Sequence, residues 1–180
     1  MQELERFRSH EELRAARVEM AGWYRAVSAS DLLRWLEGVR FADGVENGLS
    51  LLKAHGVAVG IASITWSFAV EHLARGVGVE YWLGTALLDS GEITHVWPED
   101  KARWVQQLAR RLQVPAQRTA AVGDSAGDYD MLGAVGLPVF VGTELSPPRP
   151  GWLHRPAESI EWVAKHLLQA WRLAPNEAAF

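Results

Sequence analysis

The residues Thr119 to Leu132, TAAVGDSAGDYDML, constrain this 180-residue chain more than any other stretch. An apolar run, Ala120-Ala121-Val122, stops at Gly123 and is followed at once by Asp124, with Asp128 and Asp130 close behind. Such a run reads as a buried parallel strand whose C-terminal end opens into the crevice where open α/β sheets bind ligands. Carboxylates held there among small residues suit a hard, oxygen-seeking cation such as Mg2+. The same residues also suit an acidic turn capping the helix that starts near Asp128. Asp130 reads as helix-start chemistry alone.

The pattern around this stretch alternates. Helical spacing predicts a helix over 2–27, with Leu4, Phe7, Leu13, Ala16 and Val18 as its apolar positions. Ser28 to Asp31 caps a second helix over 32–38, and Phe41 to Gly44 is a turn. A helix over 45–55 ends at Gly56, and the apolar run 57–62 predicts a buried strand ending at Ser63. A helix follows over 68–75. Residues 81–96 read as a hairpin around Asp89-Ser90-Gly91, and 98–112 as a helix carrying Lys101. After the strand 119–122 come a helix over 129–135, a strand over 137–141, a loop at Pro147 to Pro150 and a closing helix over 157–173. From Val45 onward this β and α alternation predicts an α/β fold, a Rossmann-like parallel sheet with helices on both faces. The expected division is a helical segment over 1–42, an α/β core over 43–175 and a tail over 176–180.

Composition narrows the function classes. A net charge of −4 argues against a nucleic-acid binder, which shows a basic excess. With no cysteine there is no disulfide framework and no thiolate metal site. No run approaches a membrane span, and the charged start MQELERFRSHEEL lacks a signal-peptide core, so the cytoplasm is the expected location. Only three of the 18 basic residues are lysines, Lys53, Lys101 and Lys165, which singles each out. Neither GxGxxG nor GxxxxGK[ST] occurs, which sets aside a nucleotide-binding loop at 123–127.

Residues 44–143 resemble the haloacid-dehalogenase-like (HAD) hydrolase superfamily, and within it the phosphoserine phosphatase branch. Three of the family's four motifs stand in order. A Ser or Thr ending a hydrophobic strand matches Ser63 in VGIASITWSF, and a Lys at a helix start matches Lys101 in PEDKARWV. A GD-S/G-x-x-D pattern before an apolar helix matches Gly123, Asp124 and Asp128. Thr65, Trp66 and Ser67 depart from the small glycines common in that branch.

The resemblance implies a phosphomonoesterase in which an Asp attacks phosphorus and Mg2+ bridges that Asp and the phosphate. It implies Asp124 as a direct Mg2+ ligand. Asp128 would hold the ion directly, hold it through its waters, or orient the loop. Ser63 would hydrogen-bond a phosphoryl oxygen, helped by the N–H groups of Ile64 and Thr65, and Lys101 would stabilise the shared charge. Arg25, Arg34 and Arg40, in the segment like the branch's cap or beside it, are candidates for a substrate carboxylate.

The family's first motif, an apolar strand followed by DxDGT with the nucleophile, does not occur. The nearest string, Val39 to Gly44, lacks the paired Asp. The resemblance therefore implies a central strand missing from the sheet. The expected cause is a start assigned too late or a lost N-terminus, ahead of a degenerate paralogue that fills the gap another way. Two functions stay open on the sequence: a Mg2+-dependent phosphatase of small phosphorylated metabolites whose nucleophile lies outside this chain, and an inactive pseudophosphatase that binds metal, phosphate or a partner. A homodimer is a further expectation, since a partner chain could supply a strand.

Overall fold

The computed structural model describes residues 9–143 and 149–173. By compactness the chain divides into two units, residues 1–40 with 61–97 and residues 41–60 with 98–180. These cuts fall at 40/41, 60/61 and 97/98, where the sequence reading cuts at 42/43 and 175/176. Among the described residues no helix is long and apolar enough to cross a membrane.

The first unit holds α1 (His10–Tyr24), α2 (Ala29–Arg34), β1 (Gly60–Trp66, whose first residue belongs to the second unit), α4 (Ser67–Gly76), β2 (Tyr81–Leu87) and β3 (Ile93–Thr94). The three strands form one sheet in the order β1-β2-β3. The hairpin is as expected, with β2 and β3 antiparallel, Ala86 opposite Thr94 and Leu87 opposite Ile93. Helix α1 starts at a capping box, in which the Ser9 hydroxyl accepts from the Glu12 N–H and the Glu12 carboxylate accepts from the Ser9 N–H. That box sets the start at His10; the residues expected to be helical before Ser9 lie outside the described ones. The buried stripe of α1 is Leu13, Arg17 and Ala21, spaced four apart. This corrects the expected apolar side, because Val18 is 60% exposed and its place is taken by an arginine.

The second unit holds α3 (Val45–Ala54), α5 (Pro98–Arg111), β4 (Ala120–Gly123), α6 (Tyr129–Leu132), β5 (Leu137–Phe140), β6 (Leu153–His154) and α7 (Ile160–Leu173). Its sheet is parallel throughout, in the order β4-β5-β6, with Val122 opposite Val139 and Phe140 opposite His154. Strand side chains alternate between faces. Val139 packs with Val163 and Leu167 of α7, joined by Ala120, Val122 and Leu137. Phe140, one residue on, meets Tyr129 of α6 edge-on at 5.8 Å. Helices thus cover both faces, which is the expected α/β arrangement. Helix α3 lies close against α7: a Cβ on Gly48 would stand 2.7 Å from the Ile160 carbonyl oxygen, so only glycine allows this approach.

Several boundaries differ from expectation. The strand expected over 57–62 instead runs from Gly60 to Trp66, because Ile64, Thr65 and Trp66 are strand formers that continue the same half-buried ladder. Helix α6 has four residues, led in by a 3₁₀ turn, Ala126–Asp128. The closing helix starts at Ile160, after Ala157 takes a left-handed φ of 54°. The two-residue β6 was not expected. The prolines Pro147 and Pro148 of the expected loop, and the tail from Ala174, lie outside the described residues.

Candidate functional site

The loop between β4 and α6 is built around one carboxylate. Asp128 is buried, with 9% of its surface exposed, and its hydrogen bonds tie the loop to itself and to α5. Its Oδ1 accepts from Lys101 Nζ at 2.7 Å. Its Oδ2 accepts from the Asp124 backbone N–H at 3.2 Å and from Ser125 Oγ at 3.3 Å. Its own N–H donates to the Ser125 carbonyl at 3.0 Å. Asp128 fills the space beside Gly123, where a Cβ would stand 2.4 Å from the Asp128 Cβ. This close approach explains why a glycine ends the strand.

Lys101 comes from the first turn of α5, whose start is set by Pro98, a residue with no N–H to leave unpaired there. The lysine is 5% exposed. A buried ammonium is tolerated here because a carboxylate neutralises it and is itself satisfied by two further donors. The Asp124 side chain, by contrast, is exposed at the C-terminal end of β4. The loop therefore combines a buried, neutralised pair with an outward carboxylate one residue past the strand.

Among the described residues no group of three or more His, Cys, Asp or Glu side chains converges. Mg2+ needs fewer protein ligands than that, since it keeps several waters and takes one or two carboxylates together with substrate oxygens. Asp124 fits as one such carboxylate. Asp128 already gives Oδ1 to Lys101 and Oδ2 to two further donors. Of the three roles left open for it, orienting the loop is the one its contacts perform.

In the first unit, β1 carries the other expected phosphate-binding residues, and here the sequence reading needs correcting. Ser63 does not end the strand; it lies in mid-strand, and the hydroxyl residue at the end is Thr65, just before α4 begins at Ser67. Ser63 Oγ accepts the Thr65 N–H at 3.2 Å, so that amide, expected to meet a phosphoryl oxygen, is already engaged. The Ile64 carbonyl accepts from Thr85 Oγ1 at 2.9 Å and from Arg17 at 2.6 Å. Arg25 is exposed, and its guanidinium lies over the Gly91 turn of the hairpin. Arg34 is exposed and paired with Asp31 of its own helix at 3.2 Å, and Arg40 is exposed. The structure brings none of these three arginines together.

Sequence reasoning missed Arg17. Only 3% exposed, it gives one Nη to both the Ile64 carbonyl and the Val96 carbonyl, at 2.6 and 2.9 Å, and the other to His95 Nδ1 at 3.1 Å. Burial, with Arg14 nearby, brings its pKa down to about 10, so it stays a cation at neutral pH. Its spacing from Leu13 and Ala21 was the one available signal.

A family model of haloacid dehalogenase-like hydrolases matches residues 1–133. A phosphoserine phosphatase of Archaeoglobus fulgidus is 27% identical over 106 residues, 55% of this chain and 31% of that protein. One of Streptomyces coelicolor is 32% identical over 108 residues, 56% of this chain and 26% of that protein. Among solved structures, a HAD family hydrolase from Salmonella enterica serovar Typhi superposes with a TM-score of 0.73 at 18% identity, over 83% of this chain and 54% of that one. The matched region thus spans about a quarter to a third of the length of these curated relatives.

Proposed function

Because this chain belongs to the haloacid dehalogenase-like hydrolases, we propose that the β4–α6 loop and Lys101 are the cation- and phosphate-facing part of a phosphomonoester hydrolase site. The reaction is of the phosphoserine phosphatase type, on a small phosphorylated metabolite and with Mg2+. The observation that carries this is the buried Lys101–Asp128 pair set directly behind the exposed Asp124. Bound Mg2+ neutralises phosphate charge and orders the attack. Asp124 would hold it, and Asp128 keeps Asp124 in place through the backbone N–H it accepts. Lys101, fixed in place by Asp128 through one of its three N–H donors, would turn a remaining donor to the phosphate. Neither nucleic acid nor membrane is a partner in this reading.

The chemical step needs a nucleophilic carboxylate, and no DxDGT string occurs in the 180 residues. Attack by such a group would release the alcohol and leave an aspartyl phosphate, which water returns to carboxylate and inorganic phosphate. The same absence favours a second reading, a protein that keeps the cation and phosphate contacts for binding without turnover.

Calorimetric titration of this chain with Mg2+ and inorganic phosphate, beside a turnover panel of phosphoserine and other small phosphomonoesters on the protein purified from its own cells, tests both. Mg2+-dependent phosphate binding that Asp124→Asn removes is expected. Turnover with it supports the hydrolase, and binding alone supports the second reading. No binding and no turnover would overturn both.

A further inference from the structure

We infer that Arg17 and His95 form an acid-sensitive latch that holds α1 on the β1–β3 sheet and opens when His95 takes up a proton. The proposal stands apart from the phosphatase reading and concerns the first unit alone.

The latch follows from donor and acceptor chemistry. Arginine only donates hydrogen bonds, so the 3.1 Å contact between Arg17 Nη1 and His95 Nδ1 requires a bare, accepting Nδ1. His95 is therefore neutral, with its proton on Nε2. Protonation would place a second N–H donor against a guanidinium that has no lone pair to offer. Among the described residues the charges that act on His95 are of one sign: Arg17 and Arg14, both from α1. Its own segment contributes Trp97, stacked on it at 5.1 Å, and the Val96 carbonyl, while β1 and β2 contribute the Ile64 carbonyl and the Thr85 hydroxyl to the same node. The face of Trp97 is already loaded, with Arg17 4.8 Å and Arg14 5.7 Å from its centroid and His10 stacked on it at 4.3 Å. A further charge here meets repulsion in a site where Arg17 is nearly free of solvent screening.

The direction of the pH dependence follows. Burial first, then Arg17 and Arg14, hold the His95 pKa below its ordinary value of 6.5. The unfolded chain thus binds this proton more readily than the folded one. The stability contributed by neutral His95 is complete above the ordinary histidine range and is lost as pH falls below 6.5 toward the lowered value. The effect reaches beyond α1, because the same arginine holds the carbonyl of Ile64, between Ser63 and Thr65 near the end of β1.

Hydrogen exchange of the intact chain at pH 7.5 and 5.0, corrected for intrinsic rates, tests the latch together with an NMR titration of His95. Asparagine at 95 keeps an acceptor near the position of Nδ1 but does not titrate. In the native chain, amides of α1 are expected to lose about tenfold or more of their protection at pH 5.0, while α4 amides lose little. In His95→Asn the α1 loss is expected to vanish. A His95 that titrates at or above 6.5, or an α1 loss that persists unchanged in His95→Asn, would overturn the proposal. Should that variant fail to fold, the native chain decides: loss confined to α1 supports the latch, and equal loss in α1 and α4 overturns it.

Discussion

Among the described residues each unit buries one cation, and the two solve the problem differently. In the second unit Lys101 meets a carboxylate at 2.7 Å, so the charge is cancelled where it lies. In the first unit Arg17 meets two carbonyls and a neutral histidine, so its hydrogen bonds are satisfied but its charge is not. Guanidinium tolerates this better than ammonium, because its charge is delocalised and more weakly hydrated and it spreads over an aromatic face. The comparison separates two jobs. A cancelled pair makes a rigid support in which each charge holds the other. An uncancelled cation is a support whose strength depends on the protonation of its neutral partner.

The widest gap between the two should come from removing one acceptor. Asp128→Ala leaves the Lys101 ammonium buried and alone, and urea denaturation should show a loss of about 3–5 kcal/mol. Lys101→Met combined with Asp128→Leu should recover most of that loss, since an apolar pair replaces an ionic one without leaving an orphan. Equal stability of the single and double variants would mean that the ion pair is not the support described here. Arg17→Met removes the cation itself and leaves the Ile64 and Val96 carbonyls short of donors, so a smaller loss of about 1–3 kcal/mol is expected in the same measurement. A loss as large as that of Asp128→Ala would erase the distinction between the two sites. The smallest effect on stability belongs to Asp124→Asn, within about 0.5 kcal/mol, because that side chain is exposed and its backbone N–H, which the variant keeps, makes the structural bond.

Much of the second unit was legible because its signals are local. The run 120–122, the glycine that stops it and the proline before Lys101 each act on immediate neighbours, and the elements stand where those residues place them. Asp124 and Asp128 were singled out for chemistry, but the bond between Asp128 and Lys101 was not foreseen. It joins residues 27 apart, and nothing in either segment names the other. The end of β1 was misplaced for a different reason. Serine weakens a strand signal, yet Ser63 sits half-buried in a ladder whose pairing with β2 outweighs local preference, and the strand runs on to Trp66. Arg17 was passed over because an arginine is normally solvated. Its burial is decided by carbonyls from Ile64 and Val96, which only the folded unit brings to it. β6 escaped notice because two residues carry no period at all.

The order in which the second unit can assemble follows from the Lys101–Asp128 bond. Helix α5 is made of local contacts, but its first turn cannot settle into the interior while its ammonium has no counter-charge. That counter-charge arrives only with the turn Ala126–Asp128, on the far side of β4. The start of α5, the strand and the loop after it must therefore come to rest in one step. This couples residues 98–128 into a single cooperative block, one that should open and close as a whole rather than fray from either end.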